Sequence, residues 1–144
     1  MAGWPEDLKM AAEDLLASDE SLVVVAGERI LLRGNGPGIK PILEAIDVLG
    51  EGMIGSAVAD RVVGKAAALF LVDAGVGSVF GEVLSDHARQ HLEDAGLRVE
   101  SEKMVPHIVN RAGDGPCPLE KIAVENDDPA QAMTRIRQFL SALP

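Results

Sequence analysis

The sequence predicts an α/β protein, a three-layer α/β/α sandwich around a mixed sheet, and three features carry that expectation. Beyond residue 55, short apolar runs alternate with stretches of helical period, the pattern of parallel strands joined by crossover helices. Earlier, "SLVVVAGERILLRG" sets two apolar runs either side of Gly27, which reads as an antiparallel hairpin. Finally, "VVGKAAALFLVDAG" is apolar nearly all round, as only a centrally buried helix can be.

Taken in order, "PEDLKMAAEDLLASD" puts Leu8, Ala11, Ala12, Leu15 and Leu16 on one side of a short amphipathic helix. The hairpin follows. "GNGPGIKPILEAIDVLG" is a glycine-rich turn entering a helix, with Pro41 tolerated in the first turn. "GSAVAD" is a short strand with Asp60 at its end, and the apolar helix comes next. "SVFGEVLS" reads as a strand, and "SDHARQHLEDAG" as a helix capped by Ser85 or Asp86 and closed by Gly96. "LRVESEKMV" alternates polar residues and belongs near a sheet edge. An irregular stretch, "PHIVNRAGDGPCPLEK", leads to a last helix with Asp128 as cap, Pro129 in the first turn and Gln131 placed for a capping box. No linker divides the 144 residues. One domain is expected, with its core over 6–103, a site loop over 104–117 and C-terminal helices after it.

With 13 Lys and Arg against 23 Asp and Glu, the chain lacks the positive field that non-specific nucleic-acid or membrane binding requires. Its longest apolar run, "AAALFLV", is too short to span a bilayer. A cytoplasmic protein is expected, with no nucleic-acid or membrane partner. One cysteine excludes an intrachain disulfide and any thiolate cluster.

Three segments stand apart from packing. In "RGNGPGIKP", Gly36 and Gly38 precede a helix and can turn backbone N–H groups toward an anion. The spacing matches neither a Walker loop nor a dinucleotide fingerprint, and a bare tight turn remains the alternative. Lys40 in the first turn faces the positive end of the helix dipole, which favours a compensating anion. In "ADRVVGKAAA", Lys65 opens the buried helix, with Asp60 as its nearest ion-pair candidate. Either the two form a structural pair, or Lys65 binds an anion or moves a proton. In "NRAGDGPCPLEK", Cys117 can cap a helix begun by Pro118, with Glu120 reaching back to the cap. The helix N-terminus would stabilise a thiolate there, and Asn110 and Arg111 stand just upstream. An inert buried thiol is the other reading. His87 and His91 are four apart on one helix, a spacing open to metal ligation, but no zincin glutamate follows His87 and a solvated face suits the charge-rich surroundings.

These motifs, from "LVVVAGERILLRG" through "GIKP", "VADRVVGKAAALFLV" and "VPHIVNRAGDGPCPLEK", resemble the prokaryotic family called domain of unknown function 1893. The resemblance spans nearly the whole chain and implies a cytidine deaminase-like fold. It does not imply deaminase chemistry. Zinc deaminases carry His or Cys then Glu at one helix start and Pro-Cys-x-x-Cys at the next; here "GPGIKPI" and "DRVVGKA" stand instead. No metal site and no cofactor are therefore expected. The expected role is binding of a small anionic or nucleotide-like metabolite, with Gly36, Gly38, Lys40, Asn110 and Arg111 as ligand contacts. Cys117, Lys65 and Asp60 are the candidate catalytic residues. A non-zinc enzyme using Cys117 and Lys65, or a structural or partner-binding protein, are the alternatives, and self-association into a homo-oligomer is left open.

Overall fold

A computed structural model describes residues 1–110 and 112–144, so Arg111 lies outside the described residues. A five-stranded mixed sheet forms the centre, in the order β2-β1-β3-β4-β5. β1 (Leu22–Ala26) runs antiparallel to β2 (Arg29–Gly34) and to β3 (Ala57–Val63). β3, β4 (Ser78–Ser85) and β5 (Arg98–Val105) are parallel. The hairpin turns through Gly27 and Glu28, whose φ angles are 57° and 62°. Two consecutive left-handed residues match the twist of the flanking strands. β5 is an edge strand, as its alternation of charged residues predicts.

Helix α1 (Glu6–Leu16) covers one face of the sheet. Its Leu8, Ala11, Ala12 and Leu15 pack on Val23, Val25, Ala57, Ala59 and Phe80. Each of these fully buried leucines contributes about 2 kcal/mol of transfer free energy. The opposite face carries α2 (Lys40–Leu49), α3 (Lys65–Asp73) and α4 (Asp86–Asp94). The helices α5 (Pro118–Glu125) and α6 (Pro129–Ser141) close over α3. This explains why α3 is apolar all round: it meets the sheet's core on one side and α5 and α6 on the other. Even the outer contact to Phe70 is an organised one, with the Arg137 guanidinium 5.1 Å from its ring centre.

The boundaries differ from expectation at the point that matters for the site. β3 does not end at Asp60 but continues through Val62 and Val63, and α3 begins only at Lys65. Two consecutive β-branched residues favour the pleated strand over the helix, and both extend the ladder to β4, opposite Val83 and Leu84. Asp60 is therefore inside the strand, between Leu22 of β1 and Gly81 of β4. Of the expected caps, Ser85 accepts from Ala88 N–H and Asp128 from Ala130 N–H. Among the described residues Gln131 makes no return bond to its cap.

Candidate functional site

A cavity of about 270 Å³ opens beside the last part of β3. Its wall is built from the segment before β1, the glycine loop after β2, β3 itself, the first turn of α3, and the entry to α5. Gly36 and Gly38 line it with φ angles of 131° and 61°. A side chain at Gly38 would meet open space; the glycine is required by backbone conformation, not by crowding.

Asp60 is the polar centre of this wall. Its side chain is 6% exposed and forms no ion pair among the described residues. Burial pushes its carboxyl up to about 7, against the partial relief given by the N–H groups of Val62 and Arg61 and by the Arg61 charge. The neighbouring arginine does not turn toward it. Arg61 donates to the carbonyls of Leu15, Ser18 and Glu20, and to Glu82 at 3.3 Å. A cation at the C-terminus of α1 satisfies orphan carbonyls and complements the helix dipole, and it anchors β3 at the residue next to Asp60.

Lys65 is not the partner of Asp60. Arg61, Val62, Val63 and Gly64 separate the two residues along an extended segment, and the Lys65 charge acts instead on His91 of α4. With desolvation as the larger cause, it holds the His91 imidazole below its ordinary range. Only the backbone of Lys65 joins the site, through Glu120, which the spacing of "CPLE" assigns to its own helix cap. Glu120 does not reach back to its own cap; Cys117 caps α5 by position, with no side-chain capping bond. Instead the Glu120 carboxylate, 3% exposed, accepts from Lys65 N–H at 2.8 Å, Ser85 Oγ–H at 3.2 Å and Ile108 N–H at 3.2 Å. One side chain thus ties α5 to the openings of α3 and α4 and to the late loop. The signal in the sequence was an acid beside Leu119 and on the same helical face as Ala123, where an amphipathic helix is otherwise apolar.

The late loop folds as a small hairpin. Val109 bridges Pro116, Asn110 N–H donates to Gly115 O, and Cys117 N–H donates to Ile108 O. Asn110 is spent on this turn, donating to Asp114 Oδ1 and accepting from Asp114 N–H. The cavity wall therefore contains Gly36, Gly38, Asp60 and Cys117 of the candidate residues, and Glu120 in addition. Lys40 (exposed), Lys65 and Asn110 are outside it.

The wall holds no histidine, and among the described residues no three His, Cys, Asp or Glu side chains gather as metal ligands. With the Glu120 oxygens committed to three donors, this donor set does not fit a catalytic zinc, which needs about three protein ligands and an open position. His87 and His91 belong to no such group either. No helix among the described residues is long and apolar enough to cross a membrane.

Fold and cavity define an α/β protein with a small, partly open cavity beside the end of the central strand of a mixed sheet. The model for the domain of unknown function DUF1893 matches residues 10–140, and the chain belongs to that family. A solved DUF1893 family protein from Thermotoga maritima, TM1506, is 28% identical with a TM-score of 0.82, over 97% of this chain and 92% of that one. RibD of Acinetobacter baumannii is 21% identical with a TM-score of 0.49, over 56% of this chain and 27% of that one. The dCMP deaminase of the cyanophage S-TIM5 is 17% identical with a TM-score of 0.49, over 66% and 93%. No curated protein matches the chain.

Proposed function

We propose that this chain binds a small nucleotide-like metabolite in the cavity beside β3. The observation that carries this reading is Asp60: a buried carboxyl in the wall of an otherwise mainly apolar cavity, with no charged side chain paired to it among the described residues. Leaving a carboxyl there costs folding free energy, and a ligand that completes its hydrogen bonds supplies a reason for it. The apolar surfaces of Ala66, Ile108 and Leu119 suit a planar ring. The anionic part of the ligand then belongs at the Gly36–Gly38 rim, two residues before the exposed Lys40. The anion position at the start of α3 is already filled by Glu120. A catalytic role joining Cys117 to Lys65 has less support, since the Lys65 side chain lies outside the wall. The cytoplasm is the compartment this reading assigns, in keeping with a single free cysteine.

A thermal-shift panel of nucleosides and nucleoside phosphates, with alkylation of Cys117 as second readout, tests the proposal. A ligand at about a hundred times its Kd adds about 2.7 kcal/mol to stability, and its occupancy shields the thiol. A panel in which no compound raises Tm or slows alkylation overturns it.

A further inference from the structure

We infer that the deep end of the cavity selects a planar amidine-type group, an amidinium, guanidinium or protonatable amino-heterocycle, which Asp60 grips through two parallel N–H···O bonds. The inference rests on the proposed binding role of this cavity and specifies the chemistry it accepts.

The charges that line the space set its preference. Asp60 and Glu120 contribute carboxyls, and Cys117 contributes a thiol. From β1 and β4, the residues beside Asp60 are Leu22 and Gly81, and the glycine loop brings no titratable group. Arg61 lines the space as well and its charge acts on Asp60, but its guanidinium is bonded to the end of α1 and to Glu82. The Lys65 charge acts on His91, and the exposed Lys40 is outside the wall. Among the described residues no cation forms an ion pair with Asp60, so the deep end favours a donor-rich or positive group over an anion.

The two carboxyls are not equivalent. Glu120 already accepts from Lys65 N–H, Ser85 Oγ–H and Ile108 N–H, and its role is structural. Asp60 has the backbone N–H groups of Val62 and Arg61 as its donors and no side-chain donor among the described residues, so it keeps acceptor capacity for a partner in the cavity. A carboxylate recognises a planar pair of N–H donors better than a single point charge, because both oxygens are engaged at once. The apolar wall beside it stacks against a flat group and excludes water, which strengthens those bonds. The ionisation of Asp60 in this setting matches the partner: a carboxyl that gains a cation is stabilised in its charged form.

Three isosteric probes separate the possibilities, with the full-length protein at pH 8 and binding followed by NMR chemical shifts and calorimetry. Benzamidine carries the amidinium, benzamide a neutral amide and benzoate a carboxylate on the same ring. Benzamidine is expected to bind roughly tenfold or more tightly than benzamide, with shifts at Asp60 and Cys117 and with no competition from benzoate. Asp60→Asn, equal in shape and uncharged, should reduce benzamidine affinity by about tenfold or more and leave benzamide little changed. Equal binding of benzamidine and benzamide, preference for benzoate, or an unchanged benzamidine affinity in Asp60→Asn overturns the inference. Absence of all three probes from the cavity overturns it as well. In each case the nucleotide panel decides separately whether the binding role itself stands.

Discussion

The carboxylate of Glu120 accepts the backbone N–H of Lys65 at 2.8 Å, joining residues 55 apart in the chain. The contact closes the N-terminus of α3 with a charge from the protein itself. It also explains the glycine that precedes the helix: a Cβ on Gly64 would collide with Glu120 Oε2 and stand 2.9 Å from Ile108 Cγ1.

Glu120→Ala removes the acceptor from the half-buried N–H groups of Lys65 and Ile108 and from the buried Ser85 hydroxyl. A loss of about 3 kcal/mol is expected, seen as a fall in Tm of roughly 10 °C. Hydrogen exchange at both amides should accelerate, while Glu120→Gln, which keeps an acceptor, should fall between. A wild-type melting curve for Glu120→Ala contradicts the role given to this residue.

Gly64→Ala should reproduce much of that loss from the other side of the contact, by forcing the Glu120 carboxylate away. Combined with Glu120→Ala it should cost much less than the sum of the two, since one variant removes what the other disturbs. Additive losses in a denaturant-based double-mutant cycle would show that the two residues do not share this contact.

Asp60 makes stability depend on pH in a direction opposite to that of most carboxylates. Its carboxyl ionises at about 7 when folded and near 3.8 in the unfolded chain. Between these values the native state binds more protons, so stability falls as pH rises. The difference integrates to a cost on the order of 4 kcal/mol above pH 7, absent below pH 4. Asp60→Asn should therefore gain stability relative to wild type on going from pH 5 to pH 8. Urea melts at the two pH values measure this, and a relative loss at pH 8 would refute it.

Arg61→Ala removes the cation that holds the Leu15, Ser18 and Glu20 carbonyls and loosens α1 from the end of β3. A destabilisation of about 2–3 kcal/mol is expected. Arg61→Lys should restore only part of it, since an ammonium lacks the planar fork of the guanidinium. Equal stability of Lys and Arg at this position would count against that geometry.

Lys65→Ala should raise the pKa of His91, because the lysine charge is one of the two influences holding it down. Burial, the larger influence, remains, so the value should stay below that of a free imidazole. An NMR titration of the His91 ring resolves this. A cavity ligand should lose less than about twofold in affinity in the same variant, as the side chain lies outside the wall.

Much of the fold was legible because it depends on local rules. Gly27 between apolar runs forecast the hairpin, Ser85 and Asp128 forecast their caps, and the apolar circumference of α3 forecast its central burial. The boundary between β3 and α3, which differs from the one the sequence predicts, also has a local cause. Val62 and Val63 suit an apolar helix and a strand alike by hydrophobicity, and only pairing with Val83 and Leu84 of β4 decides between them.

The sequence by itself determined the α/β order, the acidic character and the absence of a zinc-deaminase motif, and it singled out the segments around Gly36, Asp60 and Cys117 that line one cavity. Tertiary structure alone decided which side chains share that cavity. It turned Arg61 to the end of α1, put the Lys65 charge near His91, closed Asn110 into its own turn, and carried Glu120 across to α3. These outcomes are contests for partners between segments far apart in the chain. Hydrogen bonds with buried groups go to whichever donor or acceptor packing brings within about 3 Å, and spacing along a sequence does not encode that distance.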